Sequence, residues 1–273
     1  MIHIVHRDDA KTSGDITYFE APSLKAFGPV NHAFCTRSVG LIRTMNSPHN
    51  AATSRNEGQA RIPFNRELVA ATFGFEPGQL ITMDQVHGDR IWILDKTPSP
   101  SGPPLNCRSD ALLTNQRGIA IAVLTADCVP IVLVDPKRMA VGIIHAGWRG
   151  TLLGIAPKVL DAMIANFGSH PEDLLVAIGP SIGECCYEVD EAVMGPFRSS
   201  GWNWQDFSRP KGNDKWHLNL AQANIDQMRA RGISEDRCCW VRVCTRCNND
   251  ILFSYRAEGT GVGEQISFIQ LRG

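Results

Sequence analysis

The chain has 273 residues, of which 43% are hydrophobic and 20% are charged, a composition typical of a globular protein with a large core. Its 27 lysines and arginines against 28 aspartates and glutamates give a formal charge of −1. This balance excludes a broad basic field that would attract nucleic acid or anionic lipid. We therefore expect a small, locally recognised substrate and neither nucleic acid nor a membrane as a partner. Nothing in the composition indicates an oligomeric state.

Targeting and membrane segments are not predicted. The N-terminus lacks the basic start and the long apolar stretch of an export signal, which predicts a cytoplasmic protein. The most apolar stretch, 118–134, is interrupted by Thr125, Asp127 and Pro130 and is too short to span a bilayer.

Apolar runs and turn residues predict a mixed α/β fold that forms one domain over residues 1–273. Helical spacing of apolar side chains predicts helices, whereas short runs rich in Val and Ile predict strands. The predicted helices are 64–73, 151–167 and 220–231; the predicted strands are 91–94, 119–124, 131–134, 140–144, 174–178, 239–243 and 265–271. The proline-rich segment 96–107 is predicted to be an irregular loop inside that domain.

Two prolines refine this prediction. The turn Asp135-Pro136-Lys137-Arg138 is short enough to make the second and third of the central strands an antiparallel hairpin. The sheet is therefore not expected to be all parallel, which argues against a simple Rossmann fold. Pro157 is expected to kink or stagger the helix 151–167 near its middle.

The nine cysteines are expected to be reduced, because their number is odd and the chain is far larger than disulfide-dependent secreted scaffolds. Strain disfavours disulfides within the adjacent pairs Cys185-Cys186 and Cys238-Cys239. Cys244-Thr245-Arg246-Cys247 is a C-x-x-C unit, which is typical of half a zinc site or of a redox pair. The sequence contains no second C-x-x-C unit to complete a four-cysteine site.

Three segments place two imidazoles and one thiol at predicted strand ends. They are Gln85-Val86-His87-Gly88, Thr125-Ala126-Asp127-Cys128 and His145-Ala146-Gly147-Trp148-Arg149-Gly150. Two histidine nitrogens and one cysteine sulfur suit Zn²⁺, and three protein ligands leave a coordination position for water or substrate. His87, Cys128 and His145 are therefore candidate zinc ligands, although the same residue types also serve ordinary packing and hydrogen bonding.

Polar residues elsewhere in and near these segments are candidates for catalysis and anion binding. In an extended chain Asp127 would face away from Cys128, where it would act as a base, support the ligand or cap a turn. Arg149 stands at the start of a predicted helix, where its guanidinium and backbone N–H groups suit phosphate or carboxylate. Further candidates for contact with substrate or phosphate are Arg37, Asn46, Tyr255 and Arg256.

A series of ordered motifs carries a family resemblance. Beside the three ligand segments, the motifs are Asp110-Ala111-Leu112-Leu113-Thr114, Ile178-Gly179-Pro180, Cys186-Tyr187-Glu188-Val189 and Phe253-Ser254-Tyr255-Arg256. In this order they resemble the proteins first described as multicopper polyphenol oxidases, or laccase-domain proteins, a family now associated with purine nucleoside phosphorylase activity. The resemblance extends from about Phe34 to the C-terminal end of the chain.

The resemblance implies a single α/β domain similar in topology to the catalytic domain of cytotoxic necrotizing factor, with Zn²⁺ on His87, Cys128 and His145. It implies phosphorolysis of adenosine, guanosine or inosine to the base and ribose 1-phosphate. Cleavage of methylthioadenosine and deamination of adenosine are implied as companion activities. Arg37 and Arg149 would then position phosphate, and an activated water would attack the purine C6 in the deamination.

The chain departs from the family pattern at two places. Ser38-Val39-Gly40 follows Thr36-Arg37 where the family tends to have two glycines, and Thr260-Gly261-Val262 replaces a Thr-Gly-Arg pattern. Loss of that arginine is expected to alter substrate choice or phosphate affinity. The multicopper name has little support in the residues, because none of the eight histidines forms a His-x-His pair.

Two other functions compete with the phosphorylase. Some similar proteins are associated with editing of peptidoglycan precursors by a cysteine hydrolase, in which Cys128 would be the nucleophile and His145 the base. Cys128 cannot be both that nucleophile and a firmly held zinc ligand. The third alternative is a nucleoside-binding protein without turnover, which the two departures leave open.

Overall fold

The computed structural model describes residues 1–39, 41–42, 58–95 and 107–273, without the side chains of 41–42 and 58–65. Asn46 and nearly all of the predicted loop 96–107 lie outside the described residues.

The strands of the described residues are numbered in chain order. They are β1 His3–Val5, β2 Lys11–Ser13, β3 Ile16–Phe19, β4 Val30–Cys35, β5 Leu41–Ile42, β6 Leu80–Ile81, β7 Ile91–Leu94, β8 Ala111–Thr114, β9 Ala120–Thr125, β10 Val129–Asp135, β11 Ala140–Ala146, β12 Leu175–Ile178, β13 Glu188–Asp190, β14 Ser208–Gly212, β15 Lys215–Leu218, β16 Cys238–Val241 and β17 Gly263–Leu271.

The α-helices of the same residues are α1 Pro22–Phe27, α2 Gly58–Phe73, α3 Trp148–Leu152, α4 Ile155–Phe167, α5 Glu191–Ser199, α6 Leu220–Arg229 and α7 Tyr255–Glu258. No helix among the described residues is both long enough and apolar enough to cross a membrane.

Two large mixed sheets form the centre of the fold. The first sheet has the order β1-β16-β12-β10-β11-β8-β7, and the second has the order β2-β3-β4-β17-β9-β6. β10 and β11 form the predicted antiparallel hairpin, with Val129 opposite Ala146, whereas β12 and β16 run parallel. In the second sheet β9 pairs antiparallel with β17 and parallel with β6. The prediction of a mixed α/β fold whose sheets are not all parallel is confirmed.

Alternation along β10 explains how the sheets and helices stack. Successive side chains of a strand point to opposite faces. Ile131 and Leu133 pack in one cluster with residues of α4 and α6, whereas Val132 and Val134 pack in another with residues of β9 and β17. On its far face, the second sheet packs against residues of α2. The order of layers is therefore helices, first sheet, second sheet and helix.

The helix is interrupted at Gly154 and not at Pro157, so the predicted position of the interruption is wrong. The chain forms two helices, α3 and α4, which are separated at Gly154, whose φ of 73° is left-handed. Pro157 lies in the first turn of α4, where its missing N–H leaves no helical hydrogen bond unmade. The break allows α3 to begin directly after β11, next to His145.

Candidate metal centre and adjoining cavity

The structure brings His87, Cys128 and His145 together. Each residue offers one ligand atom, and these atoms all lie within 4.8 Å of one another. The rings of His87 and His145 have centroids 4.7 Å apart and are nearly perpendicular, with an angle of 87°. Two nitrogens and one sulfur at this separation can coordinate a single metal ion.

The β10–β11 hairpin positions two of the three side chains. Cys128 immediately precedes β10, at the point where the chain crosses from the second sheet to the first, and His145 is the penultimate residue of β11. The hairpin register places Pro130 opposite His145. Both candidate ligands therefore lie at the same end of the hairpin.

His87 lies on the connection between β6 and β7 and has a left-handed backbone with φ 58°. The buried Gln85 side chain holds this connection against the second sheet. Its amide donates to the Leu124 carbonyl at 2.7 Å and accepts from the Leu124 N–H at 2.8 Å. These paired hydrogen bonds fix the segment that carries the third candidate ligand.

Asp110 joins His87 to His145. Its buried carboxylate accepts hydrogen bonds from the backbone N–H groups of His87 at 2.9 Å and Gly88 at 2.7 Å. Asp110 Oδ1 also lies 2.8 Å from His145 Nδ1. Burial raises the pKa of Asp110, but hydrogen bonds from His145 and from the loop outweigh it and hold the pKa below its ordinary value. The contact leaves His145 Nε2 available for a metal, as in carboxylate–histidine–metal arrangements.

The charges of Cys128 and His145 support each other. Burial raises the pKa of the Cys128 thiol, but the His145 charge and hydrogen bonds from both histidines outweigh this and lower it to about 6. Burial lowers the pKa of His145, but Cys128 and Asp110 together raise it to about 10. In the absence of a metal these opposite shifts favour a thiolate on Cys128 beside an imidazolium on His145.

Two glycines of the segment after β11 allow close approach to the site. A Cβ atom on Gly147 would lie 3.1 Å from Cys128 Sγ and 3.2 Å from His87 Cδ2. A Cβ atom on Gly150 would lie only 2.7 Å from the Gly88 carbonyl oxygen. A side chain at Gly147 would therefore press on two candidate ligands, and one at Gly150 would displace the loop that carries His87.

A cavity of about 660 Å³ opens beside the three side chains, within the size range of small-molecule sites. Its lining includes the candidate ligands, aromatic and cationic side chains, and the segment Thr260-Gly261-Val262, which departs from the family pattern. The lining residues are His87, Ala126, Asp127, Cys128, His145, Trp148, Arg149, Tyr187, Tyr255, Arg256, Thr260, Gly261, Val262 and Glu264.

Two arginines contribute positive charge to the cavity wall. The Arg149 guanidinium lies 4.4 Å from the ring centroid of Trp148. The Arg256 guanidinium lies 5.2 Å from the ring centroid of Tyr187 and donates to the Glu188 carbonyl at 2.9 Å. Within the described part of the chain, neither arginine forms an ion pair with a carboxylate. Both charges are therefore available to an anionic ligand.

Asp127 does not have the extended conformation assumed in the sequence analysis. Its φ is 92°, and its carboxylate accepts hydrogen bonds from the hydroxyls of Thr245 at 2.6 Å and Ser254 at 2.8 Å. It also accepts from the backbone N–H of Arg256 at 2.7 Å. Although Asp127 lines the cavity, these contacts use it to hold the start of α7, which carries Tyr255 and Arg256. Tyr255 itself is 56% exposed.

Arg37 is not among the residues that line the cavity. Its guanidinium pairs with Glu258 at 2.5 Å and lies 4.4 Å from the ring centroid of Phe253. Arg37, a predicted contact for phosphate, is therefore held against α7 and does not line the cavity. Asn46 is outside the described residues.

Sequence reasoning missed the roles of Asp110 and Tyr187. Asp110 stood in a recognised motif, and an acidic residue just before a buried strand was a signal for a partner to a metal-bound histidine. Tyr187 also stood in a motif, but only the fold brings it to the cavity, where burial raises the pKa of its phenol well above the ordinary value. It is therefore a neutral hydroxyl on the wall at physiological pH.

The chain matches a known protein family and resembles solved structures. Residues 31–272 match the family described as multi-copper polyphenol oxidoreductase laccase, and the chain belongs to that family. Among solved structures, YlmD from Geobacillus stearothermophilus is similar with a TM-score of 0.83 and 28% identity, covering 96% of this chain and 98% of that one. The hypothetical protein YfiH from Bacillus licheniformis is similar with a TM-score of 0.83 and 27% identity, covering 97% and 100%.

Curated relatives are named purine nucleoside phosphorylases. The Bacteroides thetaiotaomicron protein of that name is 30% identical over 254 residues, which are 91% of this chain and 94% of the relative. Purine nucleoside phosphorylase LACC1 from Mus musculus is 32% identical over 269 residues, which are 95% of this chain but 59% of the relative. The chain thus spans little more than half the length of the mouse protein.

Proposed function

We propose that the chain is a zinc-dependent purine nucleoside phosphorylase that cleaves adenosine, guanosine, inosine and methylthioadenosine with phosphate. One observation carries the proposal: a three-donor metal site and two arginines face one cavity of about 660 Å³, and neither arginine has a carboxylate partner among the described residues. The names of the relatives support the same reaction. Adenosine deamination belongs to the proposal as a companion activity.

The donor set at His87, Cys128 and His145 fits Zn²⁺. Cys128 favours the thiolate form that a metal requires, and Asp110 fixes the ring of His145 through Nδ1. Three ligands would leave one position for water or substrate. Zinc bound there would supply a Lewis acid and lower the pKa of a bound water to about 7.

In the proposed phosphorolysis, a phosphate oxygen forms a bond to the ribose C1′ while the bond from C1′ to the purine nitrogen breaks. The guanidinium groups of Arg149 and Arg256 would bind and orient the phosphate. Trp148, Tyr187 and Tyr255 offer aromatic faces for the purine, and the neutral Tyr187 hydroxyl offers a hydrogen bond to the leaving base. Asp127 would act by holding Arg256 in place through its backbone N–H.

Product analysis tests this proposal. Adenosine, guanosine and inosine are each incubated with the protein, with and without phosphate, and the sugar product is identified by proton and phosphorus NMR. Ribose 1-phosphate that forms only with phosphate is expected, together with some inosine from adenosine. Free ribose formed equally well without phosphate would contradict the phosphorylase and indicate a hydrolase.

Arg149→Gln is expected to raise the KM for phosphate by about 10- to 100-fold, since a hydrogen bond to a charged group contributes about 1.5–3 kcal/mol. Arg198→Gln is a matched control, because Arg198 also lies over a tryptophan, Trp216, but outside the cavity. Steady-state kinetics at varied phosphate measures the difference. Equal KM values in the two variants would remove Arg149 from the phosphate site.

A second candidate function is supported by the thiolate–imidazolium pair. A Cys128 thiol with a pKa of about 6 beside His145 is the arrangement of a cysteine hydrolase. The phosphorylase requires a metal on Cys128, whereas the hydrolase requires Cys128 to be free of metal. Hydrolysis of a peptidoglycan precursor by metal-free protein, with covalent labelling of Cys128, would establish the hydrolase instead of the phosphorylase.

A further inference from the structure

A second group of metal-competent side chains lies outside the site described above. It consists of Cys185, Cys186, Cys244 and Cys247, whose sulfur atoms all lie within 4.8 Å of one another. We call it the sulfur cluster. The proposed phosphorylase reaction uses none of these residues, so the cluster needs an explanation of its own.

We propose that the sulfur cluster binds a structural Zn²⁺ ion through four thiolates. This inference does not depend on the proposed enzymatic function. Four cysteines satisfy a tetrahedral ion completely and leave no position for substrate, which is the arrangement of structural rather than catalytic zinc sites.

The distances fit one ion. Four sulfurs at about 2.3 Å from a tetrahedral centre lie about 3.8 Å from one another. Here Cys247 Sγ lies 3.3 Å from Cys186 Sγ and 3.6 Å from Cys185 Sγ, so small movements would accommodate the ion. An iron–sulfur cluster also uses four cysteines, but it places several atoms between them and would require a wider group of sulfurs.

Two tight turns bring the sulfurs together. The backbone N–H groups of Cys186 and Tyr187 both bond to the Gly183 carbonyl, at 3.0 and 2.9 Å. This turn allows adjacent cysteines to face one point, whereas in a strand they would face opposite sides. In the second turn the Asn248 N–H bonds to the Cys244 carbonyl at 3.1 Å, a helical spacing that places residues three apart on one side.

Backbone contacts around the cluster also suit thiolate ligands. The Gly183 N–H donates to Cys244 Sγ at 3.3 Å, and such hydrogen bonds stabilise negative sulfur. A Cβ atom on Gly183 would lie 3.2 Å from Cys185 Sγ and 3.3 Å from Cys244 Cβ. The glycine lets the two turns approach each other closely.

A disulfide explains the arrangement less well. Cys247 has two sulfur neighbours at similar distances, and one disulfide would leave two of the four thiols without a role. The sequence pattern does not predict a four-cysteine site, because it contains no second C-x-x-C unit. The remaining two ligands are instead the adjacent pair Cys185-Cys186. The fold brings this pair next to Cys244 and Cys247, which lie about sixty residues further along the chain.

Zinc in the sulfur cluster would stabilise one wall of the cavity beside the candidate metal centre. Cys186 precedes Tyr187, and the Cys186 carbonyl lies 3.4 Å from the Arg256 guanidinium. On the other turn, Thr245 donates to the Asp127 carboxylate that holds α7. Zinc in the sulfur cluster would therefore join two segments that each carry part of the wall.

The test is the zinc content per chain, measured by mass spectrometry of protein purified under reducing conditions without chelator. We expect Cys244→Ser combined with Cys247→Ser to contain one zinc fewer per chain than the unaltered protein. Cys107→Ser is the matched control, because Cys107 is partly buried and lies outside both metal-competent groups. Cys107→Ser is expected to lose no zinc, whereas Cys128→Ala loses only the other ion. Equal zinc content in the cluster variant and the control, or iron in place of zinc, would overturn the proposal.

A second measurement keeps the proposal testable if the double variant fails to fold. The unaltered protein is treated with an alkylating reagent before and after zinc chelation, and the labelled cysteines are located by peptide mapping. All four cysteines should resist labelling until zinc is removed. Rapid labelling of the exposed Cys185 and Cys247 before chelation, or a disulfide among the four, would overturn the proposal.

Discussion

At the scale of single residues, Asp110 connects the parts of the candidate metal centre. One fully buried carboxylate accepts hydrogen bonds from three backbone N–H groups of the His87 loop and contacts the ring of His145. A side chain that does not line the cavity thus sets both the position of one ligand and the tautomer of another. Its influence on metal binding should exceed that of any surface carboxylate nearby.

Asp110→Asn is expected to weaken zinc binding at the His87–Cys128–His145 site by about 10- to 100-fold, the usual effect of removing such a partner. An amide retains the size of the side chain but loses the charge and one acceptor oxygen. The measurement is the zinc concentration that protects Cys128 from alkylation, which reports this site alone. Asp89→Asn is the control, because Asp89 lies on the same loop and, among the described residues, forms only a surface ion pair, with Lys158 of α4. Unchanged protection in Asp110→Asn would contradict the role given to Asp110.

At the scale of elements, α3 packs against the loop that carries His87. Gly150 approaches the Gly88 carbonyl so closely that an added Cβ would lie at 2.7 Å, and a backbone oxygen can yield only if the loop moves. The helix after β11 therefore helps to hold a ligand that comes from the connection between β6 and β7.

Gly150→Ala is expected to displace His87, to weaken zinc protection of Cys128 by at least about tenfold and to cost about 1–3 kcal/mol of stability. Gly78→Ala is the control, since an added Cβ there meets nothing within 4 Å. In that control the free energy of unfolding should stay unchanged or rise by about 0.4–1 kcal/mol. Identical zinc protection in the two variants would show that the helix and the His87 loop are not coupled.

The contact between β4 and α1 predicts how stability depends on pH. His32 is buried, and its Nε2 accepts the Ala21 N–H at 2.8 Å, just before α1 begins. Burial lowers the pKa of His32 from 6.5 to about 4. Between these values the unfolded chain binds the proton and the folded chain does not, so stability falls as the pH drops from 6.5 to about 4. The loss from this residue is up to about 3 kcal/mol.

Urea unfolding across this pH range measures the effect. His32→Asn removes the titrating group while retaining an acceptor, and its stability should fall by less than that of the unaltered protein. An NMR titration of the His32 ring gives a direct check on the unaltered protein. A pKa near 6.5 in that titration would contradict the explanation.

Much of the local structure was predictable, because buried strands impose apolar runs and amphipathic helices impose helical spacing. β10 is buried along its whole length, and α6 begins where predicted and is followed by Gly232. The position of the helix break was not predicted, since proline is tolerated in the first turn of a helix. The φ of Gly154 determines the break, and the sequence does not specify it.

At the scale of the whole molecule, strand pairing depends on residues far apart in the chain. β9 and β10 are consecutive but belong to different sheets, and β17, near the C-terminal end, lies between β4 and β9. β1 pairs with β16. Local patterns do not specify such partners. Because the two sheets share a core, we propose that residues 1–273 form one domain, and the predicted similarity to the cytotoxic necrotizing factor domain stays a proposal.

The candidate site was also predictable only in part. Ligand chemistry identified His87, Cys128 and His145, and the structure brings them together. Arg37 was predicted to contact phosphate because of the family resemblance, since alone it has the pattern of a solvated surface residue. Its partner Glu258 is 221 residues away, and no local pattern indicates that pair. The roles of Asp110 and the sulfur cluster likewise depend on tertiary contacts.

We propose that phosphorolysis takes place at the metal centre of His87, Cys128 and His145. The most direct test compares ribose 1-phosphate formation by metal-stripped and zinc-restored protein, using Cys128→Ala, the control Cys107→Ser and the unaltered chain. Activity should disappear on stripping, return with zinc in the unaltered chain and in Cys107→Ser, and stay absent in Cys128→Ala. Full activity in metal-free protein, or in Cys128→Ala, would contradict the claim.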